Sequence, residues 1–357
     1  MNWLLTALLY LSLFTCVFVL LRLAERLECG RMRYALLFAA ALLPACLSGF
    51  RDVSVGTDFG MYRECLDTYL RTGTWTSQSL RFEIGFKQVV SSLGPLCPTP
   101  ECFFTAVYLA MYLTVICAFY RLREKVPFAF ACTAYFILCM IPGWNALRSF
   151  MSASLFALAL SFLLTGCVIR SAIFFMATVV FQQTSVMYWL PLPLLVLSRR
   201  MRMAYLGALA LSILVGFRII ATQFGLQWYV QEPPVRQHII LKYFLCYLPF
   251  VYMLWRHVSV VADDIVKVGP YRRSYRGLFA EIIALLLILQ LFGFYMNWAD
   301  RLLWPFFPFV GILCAYLLRR GDVLAKIWVF FYLIPYAFFY NYMVCGQNEC
   351  NAYLIGP

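Results

Sequence analysis

Charged side chains are scarce in this chain of 357 residues. Asp, Glu, Lys and Arg make up 13% of it, whereas a soluble domain carries roughly 25%. Hydrophobic residues make up 64%, and the mean hydropathy is +0.80. This composition excludes a single water-soluble core. Because apolar runs of about 20 residues recur, it favours a polytopic α-helical membrane protein. A transmembrane barrel would show short alternating segments, and the sequence contains none.

Several kinds of functional motif are also missing. The chain has only two histidines, His238 and His257, so a His-built metal site is not expected and we predict neither a metal nor a cofactor. It contains no GxxxxGK[ST] run of the type that binds nucleotide phosphates. The net charge is +13, but the basic residues are spread among short loops between apolar runs. That pattern orients a membrane protein, so no nucleic-acid partner is expected.

The basic loops determine the predicted orientation. Lys and Arg cluster at 22–33, 121–125, 198–202, 256–276 and 319–326. Cytoplasmic loops of membrane proteins are enriched in these residues, so we place all five clusters in the cytoplasm. The N-terminus then lies outside. The apolar run near it lacks a basic leader and a small-residue cleavage site, so it is interpreted as a retained first span.

The resulting prediction is one integral membrane domain, 1–357, of the all-α polytopic class with about 11 transmembrane helices. Segment 51–102 is then a long external segment that carries cavity-lining motifs. After the first span, Trp3 to Leu21, further spans are predicted near 34–50, 103–120, 126–143, 149–169, 203–221, 238–255, 278–297, 302–318 and 327–344.

The apolar run 171–197 does not fit a single crossing. Arg170 before it and the basic cluster 198–202 after it both belong inside, and the polar stretch Gln182–Ser185 interrupts it. Non-helical backbone at membrane depth is tolerated where it lines a wet cavity. We therefore predict a broken or re-entrant pair of short helices with the polar stretch at its tip. A single tilted span with a misplaced loop is the alternative.

Most of the fourteen cysteines lie in predicted spans, where they serve as small apolar fillers. Two external pairs differ, Cys97 with Cys102 and Cys345 with Cys350. An oxidising compartment would permit a disulfide in each pair.

Polar and ionisable side chains from remote parts of the chain collect at the external face of this topology. Such residues at a helix mouth line cavities and pair with each other. Arg holds phosphate through two-point hydrogen bonds, and Asp or Glu near a hydroxyl acts as a general base. This mixture suits group transfer from a phosphate-bearing donor to a hydroxyl, and equally suits binding of an anionic lipid head. The set comprises Arg51, Asp52, Asp58, Tyr62, Arg63, Arg81, Glu83, Lys87, Asn145, Arg148, Gln182, Gln183, Arg236, His238, Asn297, Asp300 and Arg301.

Simpler roles remain open for several of these residues. Asp58 suits the N-cap of a helix that begins near Phe59. Glu83 suits a solvated ion pair with a neighbouring basic side chain. Arg148 and Arg301 suit membrane-edge anchoring, and Gln182 suits bonding to the hairpin backbone.

Five stretches in a fixed order carry a family resemblance. "FRDVSVGTDFGMYRECLDTY" is followed by "FEIGF", "NALRSFMSASLFALAL", "FQQTSVMYWLPL" and "ADRLLWPFF". Together they resemble the EpsG family, polytopic enzymes akin to Wzy, the polymerase of O-antigen and exopolysaccharide repeat units. The resemblance covers roughly residues 50 to 310.

The resemblance implies a GT-C-like membrane glycosyltransferase acting at the periplasmic face of the bacterial inner membrane. Its substrate would be oligosaccharide repeats on undecaprenyl pyrophosphate, and a chain-length regulator is a candidate partner besides the lipid bilayer. The positions that match the family motifs are Arg51, Gly56, Asp58, Tyr62, Glu83, Gly85, Asn145, Arg148 and Arg301.

One motif departs from the family pattern. The family often has Phe-His-x-Ser where this chain reads Phe181, Gln182, Gln183, Thr184, Ser185. Glutamine cannot act as a base, so a catalytic histidine there would have to be replaced by a carboxylate. If the histidine only binds sugar, Gln182 or Gln183 can substitute for it.

The sequence therefore predicts a polysaccharide polymerase with two groups of site residues. Asp58 or Glu83 is the expected base, with a slight preference for Asp58. Arg51, Arg148 and Arg301 are expected to hold pyrophosphate, while Tyr62, Asn145, Gln182 and Gln183 contact the substrate. The rival interpretations are a flippase for the same lipid-linked sugar and a membrane acyltransferase that modifies the polysaccharide.

Overall fold

The computed structural model describes residues 3–27, 30–55, 58–75, 82–216, 255–256, 265–268, 271–290 and 306–339. Several predictions fall outside these ranges and are not addressed below: the span near 238–255, the pair Cys345 and Cys350, and the site residue Arg301.

The described chain is α-helical, as its apolar runs predict, apart from one short β-hairpin. The helices are α1 (Trp3–Arg26), α2 (Arg31–Gly49), α3 (Phe59–Thr72), α4 (Ile84–Leu93), α5 (Pro100–Arg121), α6 (Phe128–Asn145), α7 (Leu147–Leu164), α8 (Val168–Phe181), α9 (Leu192–Val196), α10 (Arg199–Leu211), α11 (Tyr275–Gln290), α12 (Phe307–Arg320) and α13 (Val323–Phe339). Short 3₁₀ segments follow α4 (Gly94–Leu96) and α8 (Gln183–Trp189), and a π turn (Ser212–Gly216) follows α10. The hairpin pairs β1 (Ile265–Val268) with β2 (Tyr271–Ser274) in antiparallel register.

Four described helical segments are long and apolar enough to cross a membrane. They are Ala7–Arg26, Arg31–Gly49, Pro100–Arg121 and Leu147–Leu164. Shorter apolar helices include Phe128–Met140, Val168–Phe181, Ser185–Val196 and Val323–Leu333. This composition supports a multi-pass membrane protein, whereas the predicted total of about 11 spans depends partly on residues outside the described ranges.

Among the described helices, α7 is an inner helix of the bundle and α1 is an outer one. In the apolar segment of α7 83% of the residues are buried, against 33% in α1. Helix α1 exposes Leu5, Leu8 and Leu11, which suits contact with lipid tails. On α7 the Ser152 hydroxyl donates to the carbonyl of Thr178 on α8 at 2.6 Å. Small and hydroxyl side chains let membrane helices approach closely, so α7 and α8 pack side by side.

Two close helix contacts require glycine. A Cβ at Gly49, the last residue of α2, would lie 2.7 Å from the backbone nitrogen of Thr105 on α5. A Cβ at Gly311 on α12 would lie 2.8 Å from the carbonyl oxygen of Ala131 on α6. Both contacts are with backbone atoms, which cannot rotate away as a side chain does. Glycine therefore sets the spacing of both helix pairs.

The basic ends of several helices meet at one end of the bundle. Arg33 at the start of α2 donates to the Tyr120 hydroxyl near the end of α5 at 2.6 Å. Arg121, the last residue of α5, donates to the Thr165 hydroxyl just after α7 at 3.0 Å. The clusters 22–33 and 121–125 therefore lie together, as a common cytoplasmic side requires.

The break predicted in the run 171–197 is present. Helix α8 ends at Phe181; the next residue, Gln182, has extended backbone (φ −153°, ψ 109°), and a 3₁₀ segment follows it. The ring centroid of Phe156 on α7 lies 5.5 Å from that of Phe175, which precedes the break, and 5.3 Å from that of Tyr188, which follows it. The chain therefore folds back along α7, with Gln182 at the tip of the hairpin.

Candidate functional site

Arg51 anchors the chain immediately after α2. Its side chain is 1% exposed. Nε donates to the carbonyl of Val55 at 3.1 Å, and Nη1 donates to the carbonyl of Ser48. Nη2 donates to the Tyr108 hydroxyl and to the carbonyl of Trp144, both at 3.1 Å. The guanidinium thus joins the end of α2 to α5 and α6.

Aromatic rings complete the burial of this cation. The guanidinium carbon of Arg51 lies 3.7 Å from the ring centre of Phe59, the first residue of α3. Trp144 also donates from its indole nitrogen to the Ser48 hydroxyl at 2.7 Å. Protein acceptors take four of the five guanidinium N–H groups of Arg51. The predicted contact with pyrophosphate is not tested by this geometry, which suits a structural role better: Arg51 holds the start of α3 against the bundle.

Two aspartates lie on the loop that Arg51 positions. Asp52 accepts hydrogen bonds from the backbone N–H and the hydroxyl of Ser54, at 2.9 and 2.6 Å. Both bonds lower the pKa of Asp52, and the bond from the Ser54 hydroxyl has the larger effect. Asp58 occupies the N-cap position of α3 but makes no capping hydrogen bond. The simple capping interpretation of Asp58 therefore fails.

Gly85 brings α4 against the end of α8. A Cβ at this position would lie 2.8 Å from the carbonyl oxygen of Val180 and 3.1 Å from the ring of Phe181. The first contact is with backbone, so only glycine permits this approach. As a result Glu83, at the N-cap of α4, lies beside the tip of the α8 hairpin.

A single non-helical residue separates α6 from α7. Ala146 has φ −132° and ψ 66°, so α6 ends at Asn145 and Arg148 lies in the first turn of α7. Asn145 is buried, whereas the Arg148 side chain is 20% exposed. The break therefore brings an arginine to the bundle end that also carries Arg51 and the hairpin tip.

Arg148 is the centre of a cluster assembled from four distant motifs. Its Nη1 forms an ion pair with Oε2 of Glu83, and its Nε donates to the Tyr62 hydroxyl at 3.4 Å. The second carboxylate oxygen of Glu83 accepts the backbone N–H of Gln183 at 3.3 Å. Glu83 therefore links α7 to the hairpin tip. We call Tyr62, Glu83, Arg148 and Gln183 the Arg148 cluster.

Three aromatic rings form the floor of the Arg148 cluster. They belong to Tyr62, Phe82 and Phe86. The ring centroid of Phe82 lies 5.6 Å from that of Tyr62 and 5.3 Å from that of Phe86, and the centroids of Phe86 and Tyr62 are 5.5 Å apart. The guanidinium carbon of Arg148 lies 4.7 Å from the Phe82 ring centre, within cation–π range. These rings limit water on one side of the ion pair, which strengthens its electrostatics.

Burial raises the pKa of Tyr62. The positive charge of Arg148 and its hydrogen bond oppose this effect, and the negative charge of Asp58 adds to it. Asp58 and Arg148 therefore both lie within electrostatic reach of the same hydroxyl. Tyr62 stays protonated at neutral pH and can donate a hydrogen bond to a bound ligand.

Described residues hold one edge of the Arg148 guanidinium, and none of them occupies another edge. Nε and Nη1 contact Tyr62 and Glu83, while Nη2 makes no hydrogen bond to any residue that the structure describes. Gln183, whose backbone N–H bonds to Glu83, is exposed. An oriented guanidinium with spare N–H groups can bind a phosphate oxygen.

The structure thus brings together part of the predicted site. Tyr62, Glu83, Arg148 and Gln183 meet, and Asp58 lies near Tyr62. Arg51 and Asn145 are buried at the same end of the bundle, and Gln182 forms the hairpin tip with its carbonyl accepting the N–H of Ser185 at 2.9 Å. Phe82 was not among the predicted site residues. Its position directly before Glu83 in "FEIGF" is the signal that could have indicated it.

Cys97 and Cys102 are both free thiols, so the predicted bridge is not formed. Burial, followed by a contact with Cys102, raises the pKa of Cys97. Across the described ranges no three His, Cys, Asp or Glu side chains are placed to hold a metal ion.

Comparison with known proteins identifies one family. The model of the EpsG family matches residues 34–355, nearly the whole chain. Curated proteins and solved structures give no match.

Proposed function

Since this chain belongs to the EpsG family, a Wzy-like family of polysaccharide polymerases, we propose that it is a glycosyltransferase that joins lipid-linked oligosaccharide repeats. The proposed carrier is undecaprenyl pyrophosphate. The proposed location is the periplasmic face of a bacterial inner membrane, on a GT-C-like scaffold. Basic loops at the opposite end of the bundle from the Arg148 cluster support this orientation.

The observation that carries the proposal is the Arg148 cluster itself. Four of the five motifs that resemble the family contribute a residue to it or to its immediate surroundings. An ion pair with a purely structural role needs only its two partners. A site that binds a large polar substrate needs residues from several parts of the chain, because its contacts must come from several directions.

In the proposed mechanism Arg148 stabilises the leaving group. Tyr62 and Glu83 hold its guanidinium in one orientation, so that Nη2 can bind an oxygen of the donor pyrophosphate. Negative charge grows on that oxygen as the glycosidic bond to phosphate breaks. A pre-oriented donor lowers the energy of such a transition state without reorganising.

We assign the base to Asp58 and a positioning role to Glu83. Both carboxylate oxygens of Glu83 already accept hydrogen bonds, from Arg148 and Gln183. Asp58 takes the proton of the acceptor hydroxyl, whose oxygen forms a bond to the anomeric carbon of the growing chain. The carbon–oxygen bond to pyrophosphate breaks, and the lipid pyrophosphate leaves with the electron pair. Gln183 hydrogen-bonds the saccharide.

The decisive experiment supplies the purified protein with lipid-linked repeat units and separates the products by length. Wild-type protein should yield a ladder of longer chains, and Arg148→Ala and Asp58→Ala should not. Arg63→Ala is the matched control. Arg63 follows Tyr62 in sequence and forms an ion pair with Glu101 at 2.9 Å, outside the Arg148 cluster, so its ladder should be normal.

Three results would count against the proposal. A normal ladder from folded Arg148→Ala and Asp58→Ala proteins would remove both residues from the site. Movement of the lipid-linked unit across vesicles, with no elongation under any condition, would favour a flippase instead. Transfer of an acyl group to the saccharide would favour an acyltransferase.

A further inference from the structure

A cavity lies at the other end of the hairpin from the Arg148 cluster. Its volume is about 670 Å³, and it opens between the first turns of α10 and α11. Arg199 and Arg202 line it from α10, and Ser274 and Glu281 from the α11 side. We call it the α10–α11 cavity.

The mouth of the cavity carries a cation that none of the described acidic residues neutralises. Arg202 is paired with Glu281 at 2.8 Å and also donates to the carbonyl of Leu197 at 2.6 Å. Arg199 is exposed and forms no ion pair with any described residue. The N-termini of α10 and α11 add partial positive charge at the same place. The mouth therefore favours an anion.

Apart from Arg199, Arg202, Ser274 and Glu281, the described lining of the cavity is apolar. Gly277, Ala280 and Ala284 line it from α11, at a spacing that places them on one helix face. Leu206 faces them from α10, about two turns in from Arg199. Trp255 also lines the cavity. Small side chains leave a groove along the helix that suits a linear hydrocarbon chain.

The cavity and the Arg148 cluster lie at opposite ends of the returning arm of the hairpin. That arm runs from Gln183 through the 3₁₀ segment and α9 to Arg199. Seven 3₁₀ residues and five helical ones span about 20 Å. Arg199 belongs to the basic cluster 198–202, which the sequence places in the cytoplasm. The cavity therefore faces the predicted cytoplasmic leaflet, away from the proposed chemistry.

We propose that the α10–α11 cavity binds an anionic phospholipid of the cytoplasmic leaflet. The phosphate of the head group contacts Arg199, and one acyl chain lies along Gly277, Ala280 and Ala284. Basic pockets between membrane helices on this side bind such head groups. A cavity with a cationic mouth and an apolar wall matches an amphiphile better than a free inorganic anion. This inference does not depend on the proposed polymerase activity.

The test measures lipid binding by the full-length purified protein in detergent. Phosphatidylglycerol, phosphatidylcholine and inorganic phosphate are titrated separately, with thermal unfolding and native mass spectrometry as readouts. Phosphatidylglycerol should bind most tightly and raise the unfolding temperature. Arg199→Gln should weaken its binding about fivefold, since one basic side chain near the surface contributes about 1 kcal/mol.

Matched variants separate the two parts of the cavity. Arg200→Gln is the control, because Arg200 is exposed and adjacent but does not line the cavity. It should bind phosphatidylglycerol like the wild type. Ala284→Leu should reduce binding of the diacyl lipid by filling the apolar wall.

Three outcomes would overturn the proposal. Equal binding of phosphatidylglycerol and phosphatidylcholine would remove the role of the anionic head group. If Arg199→Gln and Arg200→Gln weaken phosphatidylglycerol binding equally, the lipid is attracted by the general positive charge of the surface and not by this cavity. Inorganic phosphate that binds as tightly as the lipid, unaffected by Ala284→Leu, would make the site one for a free anion.

Discussion

Arg148 and Glu83 form an ion pair across 65 positions of the chain. The arginine lies in the first turn of an inner helix, and the glutamate precedes a short helix of the predicted external segment. Neither side chain is more than 20% exposed, so the pair is partly removed from water. Removing one partner of such a pair destabilises the protein more than removing one partner of a surface pair, because the remaining charge is left without compensation.

The shape of the Arg148 side chain should matter as much as its charge. Arg148→Lys keeps the charge but replaces the planar fork with a single ammonium, which cannot hold Glu83, Tyr62 and a phosphate in fixed directions. We expect the rate of elongation to fall about 10²-fold, with the protein still folded. Single-turnover assays with lipid-linked repeats measure this. Full activity of the lysine variant would show that only charge is needed.

Gly85 should control the position of Glu83. In Gly85→Ala the new Cβ would lie 2.8 Å from the backbone oxygen of Val180, so α4 must shift away from α8. A shift of this kind should lower elongation about tenfold or more, because catalytic geometry tolerates little displacement. Gly207→Ala is the control, since a Cβ there meets nothing within 4 Å. Equal activity of the two variants would contradict the prediction.

Arg51 should stabilise the fold without binding substrate. Arg51→Met removes the donors to three buried carbonyl groups, those of Ser48, Val55 and Trp144. We expect a destabilisation of about 3 kcal/mol, seen as a lower unfolding temperature in detergent. The KM of the protein that remains folded should not change. Arg63→Met should cost about 0–1 kcal/mol, as surface pairs do. A raised KM with normal stability would restore the substrate-binding interpretation of Arg51.

Tyr62 should make stability sensitive to alkaline pH. Burial raises its pKa in the folded state, so the folded protein holds this proton more tightly than the unfolded chain. The associated stability is present below the unfolded value of about 10 and is lost as pH rises through the folded value. Wild type should therefore lose more stability than Tyr62→Phe above pH 10, and chemical denaturation at pH 8 and 10.5 measures the difference. Parallel losses in the two proteins would refute the prediction.

Local sequence patterns were enough to predict several elements of the fold. The apolar runs predicted the long helices because burial of a hydrophobic helix is governed by composition and length. The polar stretch in run 171–197, with basic residues on both sides of the run, predicted the break that the structure has at Gln182, since non-helical backbone at membrane depth is tolerated where it lines a wet cavity. The five motifs predicted the family, which the match over residues 34–355 confirms.

Other features could not be inferred from local patterns. Arg51 and Arg148 both follow apolar helical segments at the predicted external face. Arg51 is buried among backbone carbonyls and aromatic rings, whereas Arg148 is partly exposed. Nothing near either arginine in the sequence distinguishes them, because the acceptors of Arg51 include Tyr108 and Trp144, which are 57 and 93 positions away.

The sequence by itself therefore determined the class of protein, the helical runs and the motifs. Apolar runs of about 20 residues and short motifs are local features that can be read directly along the chain. Only the tertiary structure decided which polar residues share a site. That choice depends on contacts such as Gly85 against Val180, where the absence of one methyl group lets two helices approach and brings Glu83 to Gln183 and Arg148.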